Sequence, residues 1–508
     1  MKKTLQSIVV FLFFFAYSSQ AQLDLSPINN LKYSPTYSLK ANGTNKLVYE
    51  STESFQTKGG STEYGNEVKK MSFANFDLQG TTTIEITISK AFKTFDFRPL
   101  NANISAIREG NKITFTLQNP QKIVLRIDNS WDNTLCIFAN PYHIVPKKTD
   151  VTYFFDNTKV HDYYKGKPIL NPANPNEDIQ QKTEVEAIVL KDGESVYLAE
   201  GAVVRARFEV PKDAKVKIFG RGVLAYGLGH VEDFGVISAR SHTGKVELEG
   251  LTICDAPGWI IRIFGGKGHL VDNIKQVGNW HFNTDGVQMG VDGPEMSYVQ
   301  NCFLQNNDDN FSLPSNLNAL KIHNNILWNI FNGGVFNFGW GKPKISNVEI
   351  SDNIILRSGD CCNASSSNGI PELERRKAPF TMISYGNEQI DGLTIKNIII
   401  EEIIKQGQWI HFISNTKGNG FVKNVRFENI QILNQNKVWG LLKGSKPDGI
   451  SNISFKNLQI NGKFIENLND AGLVLNNAQE STIIFSRDIS SSKSISDTLQ
   501  HLKDYNKK

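Results

Sequence analysis

The chain has 508 residues, 40% hydrophobic and 21% charged, a composition that excludes a disordered or fibrous protein and leaves room for two domains or one large repetitive one. Its 55 Lys and Arg stand against 51 Asp and Glu, for a net charge of +4, too balanced to mark nucleic acid or an anionic membrane as the partner.

The N-terminus reads as an export signal over residues 1–21. Lys2 and Lys3 are followed by an apolar run from Ile8 to Tyr17, then by Ser19-Gln20-Ala21 as a cleavage site before Gln22. The run is too short to span a bilayer comfortably, and no second apolar stretch approaches ~20 residues. The mature chain is therefore expected to be secreted or periplasmic, with no membrane span. Five cysteines (Cys136, Cys254, Cys302, Cys361 and Cys362) are too scattered for a disulfide framework, and no Cys/His cluster has zinc spacing. Cys254 and Cys302 fall in apolar strand patterns and read as buried. Vicinal Cys361-Cys362 could pair elsewhere or with each other.

Residues 22–180 read as an antiparallel β-sandwich. Apolar residues alternate in Thr82-Ile84-Ile86-Ile88, Ile113-Phe115-Leu117 and Ile123-Leu125-Ile127, and Asn119-Pro120 and Asp128-Asn129-Ser130 supply turns. From residue 181 to 480 the texture changes. A phrase of alternating apolar residues ending in Asn or Gly recurs at Gly250, Asn273, Asn301, Asn325, Asn353, Asn397, Asn429 and Asn457, at intervals of 23, 28, 24, 28, 44, 32 and 28 residues. Intervals near 24–28 residues with strand alternation fit one coil of a right-handed parallel β-helix, each coil burying its apolar face against the next. The recurrent Asn predicts a ladder at one corner, with Asn301, Asn325 and Asn353 stacked. The 44-residue interval implies an inserted loop over Ser358 to Pro379. Earlier coils are expected near Gly201 and Gly220, and residues 481–508 form a polar tail. The fold class is thus all-β.

Asn283-Thr284-Asp285-Gly286 lies between two repeats, and Asp308-Asp309 follows 23 and 24 residues later. Coils stack about 4.8 Å apart, so three carboxylates should converge on one patch. Like charges this close keep one carboxyl protonated near neutral pH while a neighbour stays ionised. That pairing of acid and base is what glycoside hydrolysis needs. Trp280 and Trp340 are candidate sugar platforms, because sugar rings present apolar C–H faces to indole. Asn283 and Lys342 are further candidate substrate contacts. No cofactor or metal is called for.

Asn-Thr-Asp-Gly followed one coil later by Asp-Asp resembles the clan of β-helix glycoside hydrolases that joins polygalacturonases (family 28) to dextranases and isopullulanases (family 49). The resemblance covers residues 190 to 460 and implies an inverting enzyme with Asp308 as general acid and Asp285 and Asp309 holding the attacking water. A β-sandwich before the helix is a family 49 trait. Polygalacturonases carry Gly-His-Gly where this chain has Asn332-Gly333-Gly334, and their Arg-x-Lys has no match here. Gly339-Trp340 resembles the dextranase side, which implies a neutral α-glucan such as dextran or pullulan. Against this, Arg375-Arg376-Lys377 in the inserted loop could meet an acidic polysaccharide. Other readings are a β-helix polysaccharide lyase, with the carboxylates on calcium, and a glycan-binding protein that cleaves nothing.

Overall fold

The computed structural model describes residues 31–54, 69–165 and 184–488, apart from 228–230, 232–233, 280–282, 331, 340, 342, 360–377, 384–386, 405–406, 415–417 and 434–436. The expected export signal, the part of the expected 481–508 tail beyond residue 488, Cys361-Cys362 and Arg375-Arg376-Lys377 lie outside the described residues, while Ile483–Ser486 within that tail is a strand of the larger sheet. No helix among the described residues is long and apolar enough to cross a membrane.

The N-terminal region is a sandwich of two sheets. One contains, in spatial order, Lys32–Tyr33, Val48–Ser54, Lys69–Leu78, Ser130–Pro141, Gln121–Ile127 and Phe95–Arg98. The other contains Thr44–Lys46, Tyr37–Ala41, Thr82–Ile88, Lys112–Leu117 and Ala106–Glu109. Ile84, Ile86, Ile113 and Phe115 from the second meet Phe76, Leu125 and Ile137 from the first in one core, as the two-residue alternation requires. One pair departs from the antiparallel pattern: Lys69–Leu78 runs parallel to Ser130–Pro141, with Leu135 opposite Ser72.

The rest of the chain is a right-handed parallel β-helix. One wall is an eleven-stranded sheet running from Ala187–Val189 to Leu473–Asn476, one strand per coil. The other strands of each coil join a 23-stranded sheet, which starts with Tyr153–Phe155 and Val160–Asp162 and ends with Ile483–Ser486. Inside, Leu248, Val271, Val299, Ile322, Ile350, Ile395, Phe427, Phe455 and Phe485 stack in register. Each strand alone exposes an apolar face, and stacking buries it at roughly 25 cal/mol per Å².

The recurrent Asn marks a corner where the backbone is left-handed. The register of the adjoining strands places Gly250, Asn273, Asn301, Asn324, Asp352, Asn397, Asn429 and Asn457 in one column. Their φ values are 80°, 54°, 55°, 56°, 56°, 54°, 55° and 55°. Gly, Asn and Asp reach this conformation at least cost. Side chains in the column bond from coil to coil, as in Asn324 Nδ2 to Asn301 Oδ1 (2.5 Å) and Asn429 Nδ2 to Asn397 Oδ1 (2.8 Å). The expected single stack of Asn301, Asn325 and Asn353 is corrected by this register. Asn325 and Asn353 sit one residue further along, in an inner ladder in which the Asn325 N–H and Nδ2 both donate to Asn353 Oδ1 at 2.9 Å.

The sandwich lies against one face of the helix. Phe138 packs on Phe303 with ring centres 5.1 Å apart, and Trp131 on Trp328 at 4.7 Å. Cys136 and Cys254 are buried in this seam and Cys302 in the helix core. Polar ties cross the seam as well. Lys275, fully buried, donates to Asn140 Oδ1 (3.0 Å) and to the Gly250 carbonyl (2.5 Å). Arg98 pairs with Glu401 at 3.1 Å. Asp255 accepts from Ser51 Oγ (2.9 Å) and from the Thr52 N–H (3.2 Å).

Burial pushes the Asp255 carboxyl up from 3.8 to about 6, against the nearby Lys70 charge and those two donors. The folded chain therefore keeps a proton that the unfolded chain has lost between these two values. The stabilisation is fully present below about pH 4 and is lost as pH rises through about 6, each tenfold difference in proton affinity being worth about 1.4 kcal/mol. Asp255→Asn should flatten that part of the stability profile. Melting temperatures at intervals from pH 4 to 8 check this, and an unchanged slope in the variant would show that Asp255 is ionised in the fold.

Candidate active site

The three aspartates sit in the turns that lead into the eleven-stranded wall. Asn283-Thr284-Asp285-Gly286 enters strand Val287–Gly290, and Asn307-Asp308-Asp309-Asn310 enters Phe311–Ser312 one coil on. Asn332-Gly333-Gly334 precedes Phe336–Asn337 in the next coil. Val287, Phe311 and Phe336 are in register, so Asp285 stands over Asp309 and Asp309 over Gly334. The backbone follows this order: the Gly286 N–H donates to the Asp309 carbonyl (2.8 Å) and the Asn310 N–H to the Gly334 carbonyl (3.1 Å). Two stacked rings, Phe311 and Phe336, centres 5.1 Å apart, fill the core behind the site.

Each carboxylate is held by N–H donors. Asp308 ties three coils together. Its Oδ2 accepts from the Asn283 N–H (3.1 Å) on the coil before and from Asn332 Nδ2 (2.5 Å) on the coil after, while Oδ1 accepts from the Asp309 N–H (2.9 Å). Asp309 Oδ1 accepts from the Gly334 N–H and Oδ2 from Asn337 Nδ2, both at 2.6 Å. Asp285 Oδ2 accepts from Gln288 Nε2 (2.9 Å), and Gln288 Oε1 accepts from Arg262 Nε (3.1 Å). The Arg262 guanidinium lies over the Trp259 ring, 4.1 Å from its centre. Relative exposure is 6% for Asp285, 5% for Asp308 and 1% for Asp309, so Asp309 is the one most fully set into the wall.

A layer of amides behind the turns fixes their shape. Asn279, Asn306 and Asn329 occupy one register on successive coils. Asn329 Nδ2 donates to the carbonyls of Asp308 (2.9 Å) and Asn332 (2.8 Å), and Asn306 Nδ2 donates to Gln276 Oε1 (2.8 Å). Gln276 in turn donates to the Gly286 carbonyl (3.0 Å). Packing here is close enough to dictate glycine. A methyl group on Gly286 would lie 2.7 Å from Asn306 Oδ1, Gln276 Oε1 and the Asn310 carbonyl.

The structure therefore brings Asp285, Asp308 and Asp309 together, with Asn283 beside them through its backbone N–H. Trp280, His281, Trp340 and Lys342 lie outside the described residues. Sequence reasoning missed Trp259, Arg262, Gln288 and Asn337, and noticed Asn332 only as part of a tripeptide that lacks a histidine. The signal for two of them was present: Arg262 and Gln288 interrupt the apolar runs Ile261-Ile263 and Val287-Met289 at outward-facing positions. Among the described residues no group of three or more His, Cys, Asp or Glu is arranged to hold a metal ion.

No protein-family model matches the chain. It is similar to a dextranase of Arthrobacter sp. (strain CB-8), 24% identical over 261 residues, or 44% of this chain and 40% of that protein. It is similar also to an isopullulanase of Aspergillus niger, 26% identical over 316 residues, or 55% of this chain and 54% of that one. The chain thus spans about half the length or less of these relatives. Among solved structures, Dex49A from Penicillium minioluteum aligns with a TM-score of 0.67 at 16% identity, covering 92% of this chain and 96% of its own, which shows a shared fold. The resemblance seen in the sequence, to the dextranase and isopullulanase side of the β-helix glycoside hydrolase clan, is to the same proteins.

Gly333 tests the packing at the carboxylates. It has φ of +86°, and a methyl group there would lie 2.4 Å from the Asp309 nitrogen and 2.6 Å from Asp308 Oδ1. Gly392 has a similar φ of +92° with nothing closer than 4.0 Å. Gly392→Ala should therefore cost only the left-handed backbone penalty of about 1–2 kcal/mol. Gly333→Ala should cost clearly more in urea unfolding. Equal losses would mean that the coil carrying Gly333 does not press on Asp308 as described.

Proposed function

We propose that this chain is an exported glycoside hydrolase that cleaves a neutral α-glucan, such as dextran or pullulan, with inversion at the anomeric carbon. Asp308 is the general acid that protonates the leaving oxygen. Asp285 and Asp309 hold the attacking water and take its proton. The observation that carries the reading is the meeting of three carboxylates from two successive coils, each braced by amide donors, in a chain similar to proteins named dextranase and isopullulanase. A brace of this kind fixes the carboxylates before substrate arrives, so little reorganisation is needed during reaction. Inversion needs acid and base roughly 6.5–9.5 Å apart, with water lodged between base and sugar.

A neutral substrate is favoured by the side chains that meet the carboxylates. Asn332, Asn337 and Gln288 are uncharged amides, suited to sugar hydroxyls after a small rearrangement. Gly333 occupies the place where the polygalacturonases carry histidine, and the amide of Asn332 just before it bonds Asp308. Export rests on the N-terminal sequence, Lys2-Lys3 and the apolar run that follows. The partner is a polysaccharide or oligosaccharide, and no nucleic acid is involved.

Purified protein should release sugars from dextran or pullulan and leave polygalacturonate intact, with no ultraviolet-absorbing unsaturated ends and no loss of activity in chelator. The anomeric proton of the first product, read by NMR, should be opposite in configuration to the bond cleaved. Asp308→Asn should fold normally and lose about 10²–10⁴ of the rate or more. A nitrophenyl glycoside, whose leaving group needs no proton, should partly rescue this variant but neither Asp285→Asn nor Asp309→Asn. Rescue of Asp309→Asn instead would move the acid to Asp309, and full activity of all three would defeat the enzyme reading of this site.

A further inference from the structure

Gln288 sits between a buried guanidinium and a buried carboxylate, and the chemistry of its neighbours fixes which way its amide points. Arg262 can only donate, so the Gln288 oxygen must face it, at 3.1 Å from Nε. The amide nitrogen is then turned to Asp285 Oδ2, at 2.9 Å. The three groups stand on neighbouring coils and turns. Arg262 and Gln288 are in register across the wall, and Gln288 lies three residues beyond Asp285 on the same coil. Arg262 is 8% exposed and Gln288 6%, and the Trp259 ring covers the guanidinium face at 4.1 Å. Trp259 itself falls in the same column as Asp285, one coil earlier, since Ile261 is in register with Val287.

Resting on the proposed hydrolase reading, we propose that Arg262 and Gln288 form a positioning relay that orients Asp285 and keeps it ionised as a water-activating base. The relay places an N–H donor, polarised by a cation behind it, on one oxygen of a carboxylate that stands beside Asp308 and Asp309. Without such a donor, the crowding of like charges would favour protonating Asp285 and so remove the base. A direct Arg–carboxylate pair would hold the charge but weaken the base, because the cation stabilises the anion that must accept a proton. An interposed amide passes on orientation with a smaller electrostatic penalty.

The test separates the relay from the site. Gln288→Met keeps length and packing but supplies no donor. It should lower kcat by about 10- to 100-fold, as expected for loss of a hydrogen bond to a charged group, with KM little changed. The acidic limb of the kcat/KM profile, which reports the base, should move to higher pH. Gln288→Glu should be worse than Gln288→Met, because it pairs with Arg262 yet places a second negative charge against Asp285. Arg262→Met frees the amide to turn over, so it should shift the same limb by a smaller amount. Asp285→Asn is made in parallel. If Asp285→Asn is inactive while Gln288→Met keeps the wild-type kcat and pH profile, the relay is overturned and the hydrolase reading stands. If Asp285→Asn is itself fully active, the assignment of this site fails first. A Gln288→Met protein that loses kcat with an unmoved pH limb would make the residue structural only, which also overturns the relay.

Discussion

From Gly250 to Asn457 each coil of the β-helix turns one corner on a residue with left-handed backbone, and that repeated corner keeps the coils in register. Between Gly250 and Asn457 the column holds only Gly, Asn and Asp, with φ of 80° at the glycine and within a few degrees of 55° at the others. A corner of fixed geometry delivers each following strand at the same height and angle. The strand ladders then form without slippage, although the loops between corners vary in length. In a parallel stack a slip of one residue would turn every apolar side chain outward. The side-chain ladder through Asp272, Asn301 and Asn324 adds bonds along the axis, but the backbone conformation is the primary constraint, since the coil must turn before its side chains can meet.

The candidate site is a consequence of that register. Asp285 and Asp309 are 24 residues apart in sequence, yet one strand spacing apart in space, because the coil between them has that length. Holding carboxylates so close and so buried opposes folding. The cost is offset locally by amide donors from three coils, and more broadly by the apolar stacks behind them. The sandwich contributes at a distance. Its Trp131 and Phe138 clamp the face that carries Trp328 and Phe303, two residues on the strands that feed the Asp308 and Asn332 turns. The position of those turns therefore depends partly on a domain that supplies none of the three carboxylates.

Much of this was legible in the sequence because the repeat writes its own period. The Asn and Gly corners, the 24-residue step from Asp285 to Asp309 and the strand alternation in Thr82–Ile88 can each be read without coordinates. The error at Asn325 and Asn353 has a simple origin. Those coils carry Asn324-Asn325 and Asp352-Asn353, two adjacent residues that both suit a left-handed corner, and composition alone cannot say which one turns. The parallel pairing of Lys69–Leu78 with Ser130–Pro141 was invisible for another reason: alternation reports which face a side chain takes, not the direction of the neighbouring strand. Gln288 and Arg262 were missed because an outward polar residue on a strand reads the same whether it meets solvent or a carboxylate.

The pair Asp308-Asp309 raises a geometric question that the turn answers. In a strand, consecutive side chains point to opposite faces, so two adjacent aspartates could not serve one site. Here the regular strand begins only at Phe311, and the pair lies in the turn ahead of it. Asp308 reaches Asn332 and Asp309 reaches Gly334 and Asn337, so both carboxylates are drawn toward the same following coil. Their surroundings nevertheless differ. Asp309 is bound on both oxygens by the coil that follows, whereas Asp308 is strung between the coil before and the coil after. That asymmetry gives two chemically identical side chains different surroundings, and different surroundings are what the separate roles proposed for them require.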